Sequence, residues 1–288
     1  MADAAIPSAP AAREAPESPR PPRTLDLTRQ RGFGTIALFC LAMLYAPIFV
    51  LVAYSFNGTR SVSQWQGFSL EWYARALANE GMLDAAINTL QIGIVATIAS
   101  TIIATAAALA TTRVRPWRGM TGAYLVVNLP LMVPEIVTAV ATLIFFALLA
   151  ATLGITLGIG NLMIAHTVFC IPFAYMPIRA RLEDMDLTLE QAAADLYATP
   201  WQAFRRVTLP LLMPGVTAGA TLAFVVSFDD FTITQLVAGP GQSTLPIYIW
   251  TSLRRGISPE INAMSSILLA VSVLLVTSSF LIAHKRRF

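Results

Sequence analysis

The stretch from Gly34 to Tyr54 reads GTIALFCLAMLYAPIFVLVAY, a run without a single charged residue. Several other windows of the chain are nearly as apolar. A helix needs about 18–20 such residues to cross the hydrocarbon of a bilayer. One alternative is a large buried core in a soluble domain. That alternative fails on composition: 56% of the 288 residues are hydrophobic and 12% charged, against about 25% charged in an ordinary soluble domain. A water-exposed fold would be left with a large greasy surface. The chain therefore reads as an all-α, polytopic membrane protein.

Six crossings are expected, near Gly34–Tyr54, Ala85–Ala110, Met120–Ala150, Asn161–Ile178, Val216–Val237 and Ile261–Ala283. Lys and Arg fix their direction. Of nineteen, fifteen fall on one side of successive spans: Arg13, Arg20, Arg23, Arg29, Arg31, Arg113, Arg115, Arg118, Arg179, Arg181, Arg205, Arg206, Lys285, Arg286 and Arg287. Only Arg60, Arg75, Arg254 and Arg255 lie opposite. The positive-inside rule places both termini in the cytoplasm. The basic balance follows from these anchors and gives no reason to expect nucleic acid as a partner.

Residues 1–32, rich in Pro, Ala and Arg, read as a disordered cytoplasmic tail, 33–283 as the membrane domain and 284–288 as a basic cytoplasmic tail. Cys40 and Cys170 fall in apolar spans and read as small core residues without a disulfide. Outside the first span, Asn57-Gly58 reads as a turn, and Trp65, Trp72 and Tyr73 suit a membrane interface.

Polar groups interrupt three spans. Pro130, Pro134 and Glu135 sit in the third, Asp229 and Asp230 in the fifth, and His166 in the fourth. A carboxylate at mid-bilayer costs about 2.5–3.5 kcal/mol on insertion scales and so faces a cavity or a partner. Two readings stand for the acids. Asp229, Asp230, Ser227 and Glu135 line a path for a cationic solute, or Asp230 makes an interhelical bond and Asp229 caps a helix end. His166 reads as a hydrogen-bonded interhelical histidine.

The cytoplasmic excursion at residues 179–214 contains EQAAADLYATPWQAFRRVTLPLLMPG, Glu190 to Gly215. Leu187–Leu196 suits a short helix, with Glu190 near its positive end. Thr199 suits an N-cap and Pro200 a first helical position. A second short helix carries Trp201, Phe204 and Val207, and Pro210 and Pro214 are expected to end it. Alanines that admit a close backbone, with Trp201 and Phe204 as anchors, suit a knob that enters a partner's groove; the plainer reading is a loop that merely joins two spans.

This loop resembles the signature of ATP-binding-cassette importer permeases, E-A-A-x-x-x-G followed by a later L-P. Ala192, Ala193, Ala198, Pro200, Phe204, Leu209-Pro210 and Pro214-Gly215 fit it. Gln191 stands where the signature has glutamate, with Glu190 adjacent, and Tyr197 stands where it has glycine. The flanking AHTVFCIPFAYMPIRARLEDMD and the SFDDFTITQLVAGPGQSTLPIYIWTSLRRGISPEINAMSSILL series are similar to the spermidine/putrescine-type permeases, over most of residues 85–283. The resemblance implies the type I ABC importer transmembrane fold in a bacterial inner membrane. It makes Glu190, Gln191, Ala192, Ala193, Asp195, Tyr197, Ala198, Pro200, Trp201 and Phe204 the coupling element for a cytoplasmic ATPase homodimer. It further implies a second, related permease chain and a periplasmic binding protein, which Arg254 and Arg255 could face; solvated interface arginines are the plainer reading.

The inventory argues against chemistry in this chain. A Walker A loop needs a lysine behind a glycine-rich turn, and the one lysine is Lys285. His166 and His284 have no zinc-ligand partners at the usual spacing, and no nucleophile motif accompanies His166. No bound cofactor is expected, ATP and Mg belonging to the separate ATPase. Polyamines are the expected cargo; rivals are opine, amino-acid-derivative or ferric-ion permeases and, from another class, a self-contained secondary carrier.

Overall fold

The computed structural model describes residues 31–60, 64–115, 117–256 and 259–285; residues 1–30 of the tail expected at 1–32, and 286–288 of the basic tail expected at 284–288, lie outside them. Among the described residues there are only helices and one isolated antiparallel bridge, Asn57 to Phe68. Six helical stretches are long and apolar enough to cross a membrane. The chain divides into two compact units, Met1–Ile48 and Phe49–Phe288. The first carries most of α1 (Arg31–Tyr54), whose side chains are exposed from Phe33 to Val50, Cys40 included. Cys40 is therefore an exposed residue, not a core one.

The second unit is built on three long helices. α3 (Glu80–Thr112), α6 (Ile159–Glu183) and α9 (Leu209–Phe228) pack mutually. Ala104, Ala108, Cys170, Ala174, Tyr175, Ile178, Leu182, Leu212 and Ala223 form their shared core. The small residues are there for a reason. Lipid tails are as apolar as leucine, so membrane helices gain by close backbone approach rather than by hydrophobic burial. Gly215, Gly219 and Ala223 repeat every fourth residue on α9, and a Cβ at Gly219 would lie 2.6 Å from the Ala174 carbonyl oxygen of α6. Cys170 adds an Sγ contact of 3.4 Å to the Ala223 carbonyl.

The remaining elements are α2 (Glu71–Ala78), α4 (Met120–Met132), α5 (Glu135–Leu153), α7 (Thr188–Asp195), α8 (Pro200–Ala203), α10 (Thr232–Val237), α11 (Leu245–Arg255) and α12 (Pro259–Lys285). Three differ from the sequence expectation, and the interruption expected in the third span falls at Val133 and Pro134. The second span starts earlier, at Glu80, because Asn79 caps it through its side chain on the Met82 amide. The third span is two helices. Val133 is extended (φ −98°, ψ 135°) because Pro134 disfavours a helical residue before it, whereas Pro130 is carried inside α4. Pro210 and Pro214 do not end the helix after the hairpin. A π-turn at Phe204–Thr208 shifts the hydrogen-bond ladder by one residue, with the Leu209 amide reaching the Phe204 carbonyl, and Pro210 falls in the first turn of α9 where no amide is needed. The fifth span, finally, stops at Phe228, and Asp229 and Asp230 lie in a break before α10.

Trp72 also departs from expectation. It is buried at 3% exposure, and its indole N–H donates to the Asn57 carbonyl at 2.6 Å, while Trp65 is exposed. Asn57 itself is held by the Gln64 carbonyl and the Gln66 amide, which closes the loop after α1.

Candidate functional site

The cytoplasmic hairpin begins at Asp186, whose carboxylate accepts the Thr188 amide at 2.9 Å. That bond holds the Asp186 carboxyl below its usual range. α7 ends in a closure of two reversed bonds. The Tyr197 amide donates to the Ala194 carbonyl and the Ala198 amide to the Ala193 carbonyl, the pattern of a Schellman motif with its left-handed residue at Tyr197. Tyr197 has φ 60° and is, among the described residues, the only non-glycine with positive φ. The next turn starts as the sequence leads one to expect. Thr199 and Gln202 form a reciprocal capping box, with Pro200 in the first turn.

An ion pair seats the hairpin. Arg113, at the end of α3, donates to Glu190 at 3.2 Å and to the Leu182 carbonyl at 2.9 Å. Thr208 donates to the same Glu190 oxygen at 3.1 Å. The glutamate beside the signature position thus ties α7 to α3 and to the helix entering α9. Gln191, Ala192 and Asp195 are exposed and Ala193 is buried. Leu196, Tyr197 and Trp201 are 82%, 95% and 67% exposed. Phe204 lies against Trp201, the rings tilted by 30° with centres 5.6 Å apart, but turns inward, half-buried in a groove with Ile102, Leu109 and Leu209.

Deeper in the membrane domain, the break after α9 is built around His166 of α6. Its Nδ1 pairs with Ser227 Oγ and its Nε2 with Thr234 Oγ1, both at 2.9 Å, and Asp230 Oδ2 lies 3.4 Å from Nε2. Asp230 is buried and accepts the amides of Ile233 and Thr234, the donors of the first turn of α10. His166 is the interhelical histidine expected, and Asp230 makes the interhelical contact that the plainer reading gave it. Asp229 is different: it is exposed. It lines a cavity of about 400 Å³ with Glu135, Asp230, Phe169, Phe173 and Phe231. Glu135, first residue of α5, faces Asp230 and Thr232 there. Ser227 is turned away, toward His166. Among the described residues, no Lys or Arg is ion-paired with Glu135, Asp229 or Asp230.

On the opposite side from the hairpin, the Gly239–Gly241 turn closes with Gly241 at φ 77° and the Gly239 amide on Gln242. Asn88 and Thr89 of α3 hold it through the Ser243 carbonyl and the Leu245 amide. Arg254 and Arg255 are exposed at the end of α11, Arg254 lying 5.2 Å from the Trp250 ring centre.

The family described as "Binding-protein-dependent transport system inner membrane component" matches residues 100–285. This chain belongs to that family. The putrescine transport system permease protein PotI of Escherichia coli (strain K12) is 37% identical over 255 residues, 88% of this chain and 91% of its own length. The spermidine/putrescine transport system permease protein PotC of the same strain is 37% identical over 245 residues, 85% of this chain and 91% of its own. Among solved structures, a bacterial ABC transporter involved in the import of alginate aligns with TM-score 0.70 at 15% identity, covering 87% of this chain and 93% of that one. The inward-facing MetNI methionine ABC transporter aligns at TM-score 0.60 and 19% identity, covering 72% and 99%. The type I importer fold and the inner-membrane location expected for this permease both follow.

Three parts of the permease site escaped sequence reasoning. Arg113 and Thr208 lie 77 and 18 residues from Glu190, with no periodic pattern to join them; Arg113 stood out only as one of several cytoplasmic arginines. The rings of Phe169, Phe173 and Phe231 merge with the apolar background of their spans. Their signal was the FxxxF spacing on α6, which places two rings on one face.

Proposed function

We propose that this permease translocates polyamines, taking protonated putrescine or spermidine from a periplasmic receptor and passing it inward in concert with a second, related permease chain. A cytoplasmic ATPase dimer drives the cycle through the hairpin at Glu190–Phe204, and ATP and Mg bind there rather than on this chain. The observation that carries the cargo is the cavity in which Glu135, Asp229 and Asp230 stand among three phenylalanines without, among the described residues, a Lys or Arg to pair them.

A di- or triamine sheds hydration on entering a membrane and needs negative charge along its path. Opposite charges attract more strongly there than in bulk water, and aromatic faces add cation–π attraction. Asp230 is committed to α10 and His166, and Glu135 faces Asp230 and Thr232, so Asp229 is the carboxylate most open to the path. Identity to the putrescine and spermidine/putrescine permeases supports the same cargo.

The test is radiolabelled putrescine and spermidine uptake at saturating receptor, with Asp229→Asn and Asp230→Asn. Asp229→Asn should lower uptake about tenfold or more, the effect of losing about 1.4 kcal/mol at one step, with the assembled importer intact. Wild-type uptake in both variants would remove the carboxylates from the path. Binding of the two labelled amines to the receptor encoded beside this chain decides between polyamine and other solutes.

A further inference from the structure

We propose that Tyr197 is a dedicated anchor of the hairpin, its phenol seated in an apolar pocket with a hydrogen-bond partner on the ATPase subunit. This inference rests on the coupling role given to the hairpin above, and it adds a specific side chain and the pocket that side chain demands.

Stereochemistry is the starting point. The residue that closes α7 must be left-handed, and for an L-residue with a Cβ that conformation costs roughly 1–2 kcal/mol. Glycine avoids the cost, and asparagine reduces it. A tyrosine at φ 60° is the least economical choice on local grounds. Strain that local structure does not require points to function. The side chain gains nothing within this chain either, because it is 95% exposed.

Its surroundings say what it meets. Leu196 at 82% and Trp201 at 67% exposure flank it, giving three large apolar side chains at one turn. Exposed apolar residues occur on the spans and on other loops and short helices as well, Phe68, Trp117 and Leu189 among them. Leu196 and Tyr197 lie between Asp195 and the Thr199–Gln202 capping box, and Trp201 lies within that box, among polar groups that suit water and not hydrocarbon. A compact apolar patch in a polar setting marks a protein contact. Tyrosine and tryptophan are the residues that carry most energy in such contacts. The left-handed turn, with both its reversed hydrogen bonds made, fixes the direction of the Tyr197 Cα–Cβ bond before binding and so reduces the backbone ordering lost on docking. A buried phenol needs a partner for its hydroxyl, which sets the chemistry of the pocket floor.

The experiment titrates purified ATPase subunits onto the two-permease complex in nanodiscs and in detergent micelles. It compares wild type with Tyr197→Phe, Tyr197→Ala and Tyr197→Gly. Tyr197→Gly relieves the backbone and removes the ring, so backbone and side chain predict opposite results. An anchor gives ATPase binding weakened about 30-fold for both Tyr197→Ala and Tyr197→Gly, with Tyr197→Phe between them and wild type. Binding by Tyr197→Gly at or above the wild-type level overturns the proposal. So does a loss seen in nanodiscs and absent in micelles, which assigns the ring to the bilayer surface. A chain with residues 188–203 replaced by a glycine-serine linker separates the two levels. If it fails to bind while Tyr197→Gly binds normally, the anchor falls and the coupling role stands; if it too binds normally, both fall.

Discussion

Replacing Gly219 by alanine tests the packing on which the membrane domain depends. In most helices this substitution helps, because alanine exceeds glycine by about 0.8–1.0 kcal/mol in helix propensity. At Gly219 the new Cβ would stand 2.6 Å from the Ala174 carbonyl oxygen and 3.2 Å from Ile178 Cγ1. Ordinary carbon–oxygen approach is about 3.3–3.6 Å, so the helices must separate locally by about 0.7 Å or more. The obstacle is backbone, which cannot rotate aside as a side chain can. Moving α9 from α6 also strains the Cys170 contact to Ala223 and the His166 bond to Ser227 one and two turns further on. Overpacking of this kind costs about 1–3 kcal/mol. A middle value outweighs the propensity gain by about 1 kcal/mol, which lowers the melting temperature by about 2–4 °C in a chain of this size. The same change at Gly122 in α4 meets nothing within 4 Å and should raise the melting temperature by a similar amount. Thermal unfolding of the detergent-purified permease, followed by intrinsic fluorescence, gives both numbers. The reasoning fails if the two alanine variants shift in the same direction.

His166→Ala leaves the buried Ser227 hydroxyl without its partner, while Thr234 keeps its bond to Asp230. The orphaned group costs about 1–3 kcal/mol, so the variant should lose a few degrees of melting temperature, and His166→Asn less; equal stability to wild type would mean the break after α9 is held elsewhere. The Arg113–Glu190 pair, whose side chains are 17% and 23% exposed, should show a coupling of about 1 kcal/mol in a double-mutant cycle of Arg113→Ala and Glu190→Ala. Glu190→Gln should reduce ATP-driven import several-fold while the chain still reaches the membrane, since the hairpin loses its charged seat; unchanged import would detach that seat from coupling.

The spans were legible because the bilayer enforces one rule over a long window, and a helix of apolar residues is the only local answer to it. The hairpin was legible for the opposite reason. Thr199, Pro200 and Gln202 act within one turn, so their order in the chain is nearly their arrangement in space. What composition concealed were the interruptions. Asp229 and Asp230 sit in a run apolar enough to read as one span, and only the capture of the Ile233 and Thr234 amides by Asp230 shows that the helix stops and restarts. Pro210 misled because a proline breaks a helix only where an amide is required, and the π-turn before it removes that requirement.

The two adjacent aspartates also show how burial divides labour between identical side chains. Asp230 faces α6 and α10, where every oxygen finds a donor, and it fixes the break. Asp229, one residue earlier in the same break, faces the cavity. On the proposed path, a carboxylate beside Glu135 and three aromatic rings would gain an opposite charge when a cationic solute passes. The same break that frees Asp229 from the helix gives the path a joint between α9 and α10, tied to α6 through His166. Movement of α9 that begins at the Glu190 seat would therefore reach the cavity along a single rigid helix, from Leu209 to Phe228.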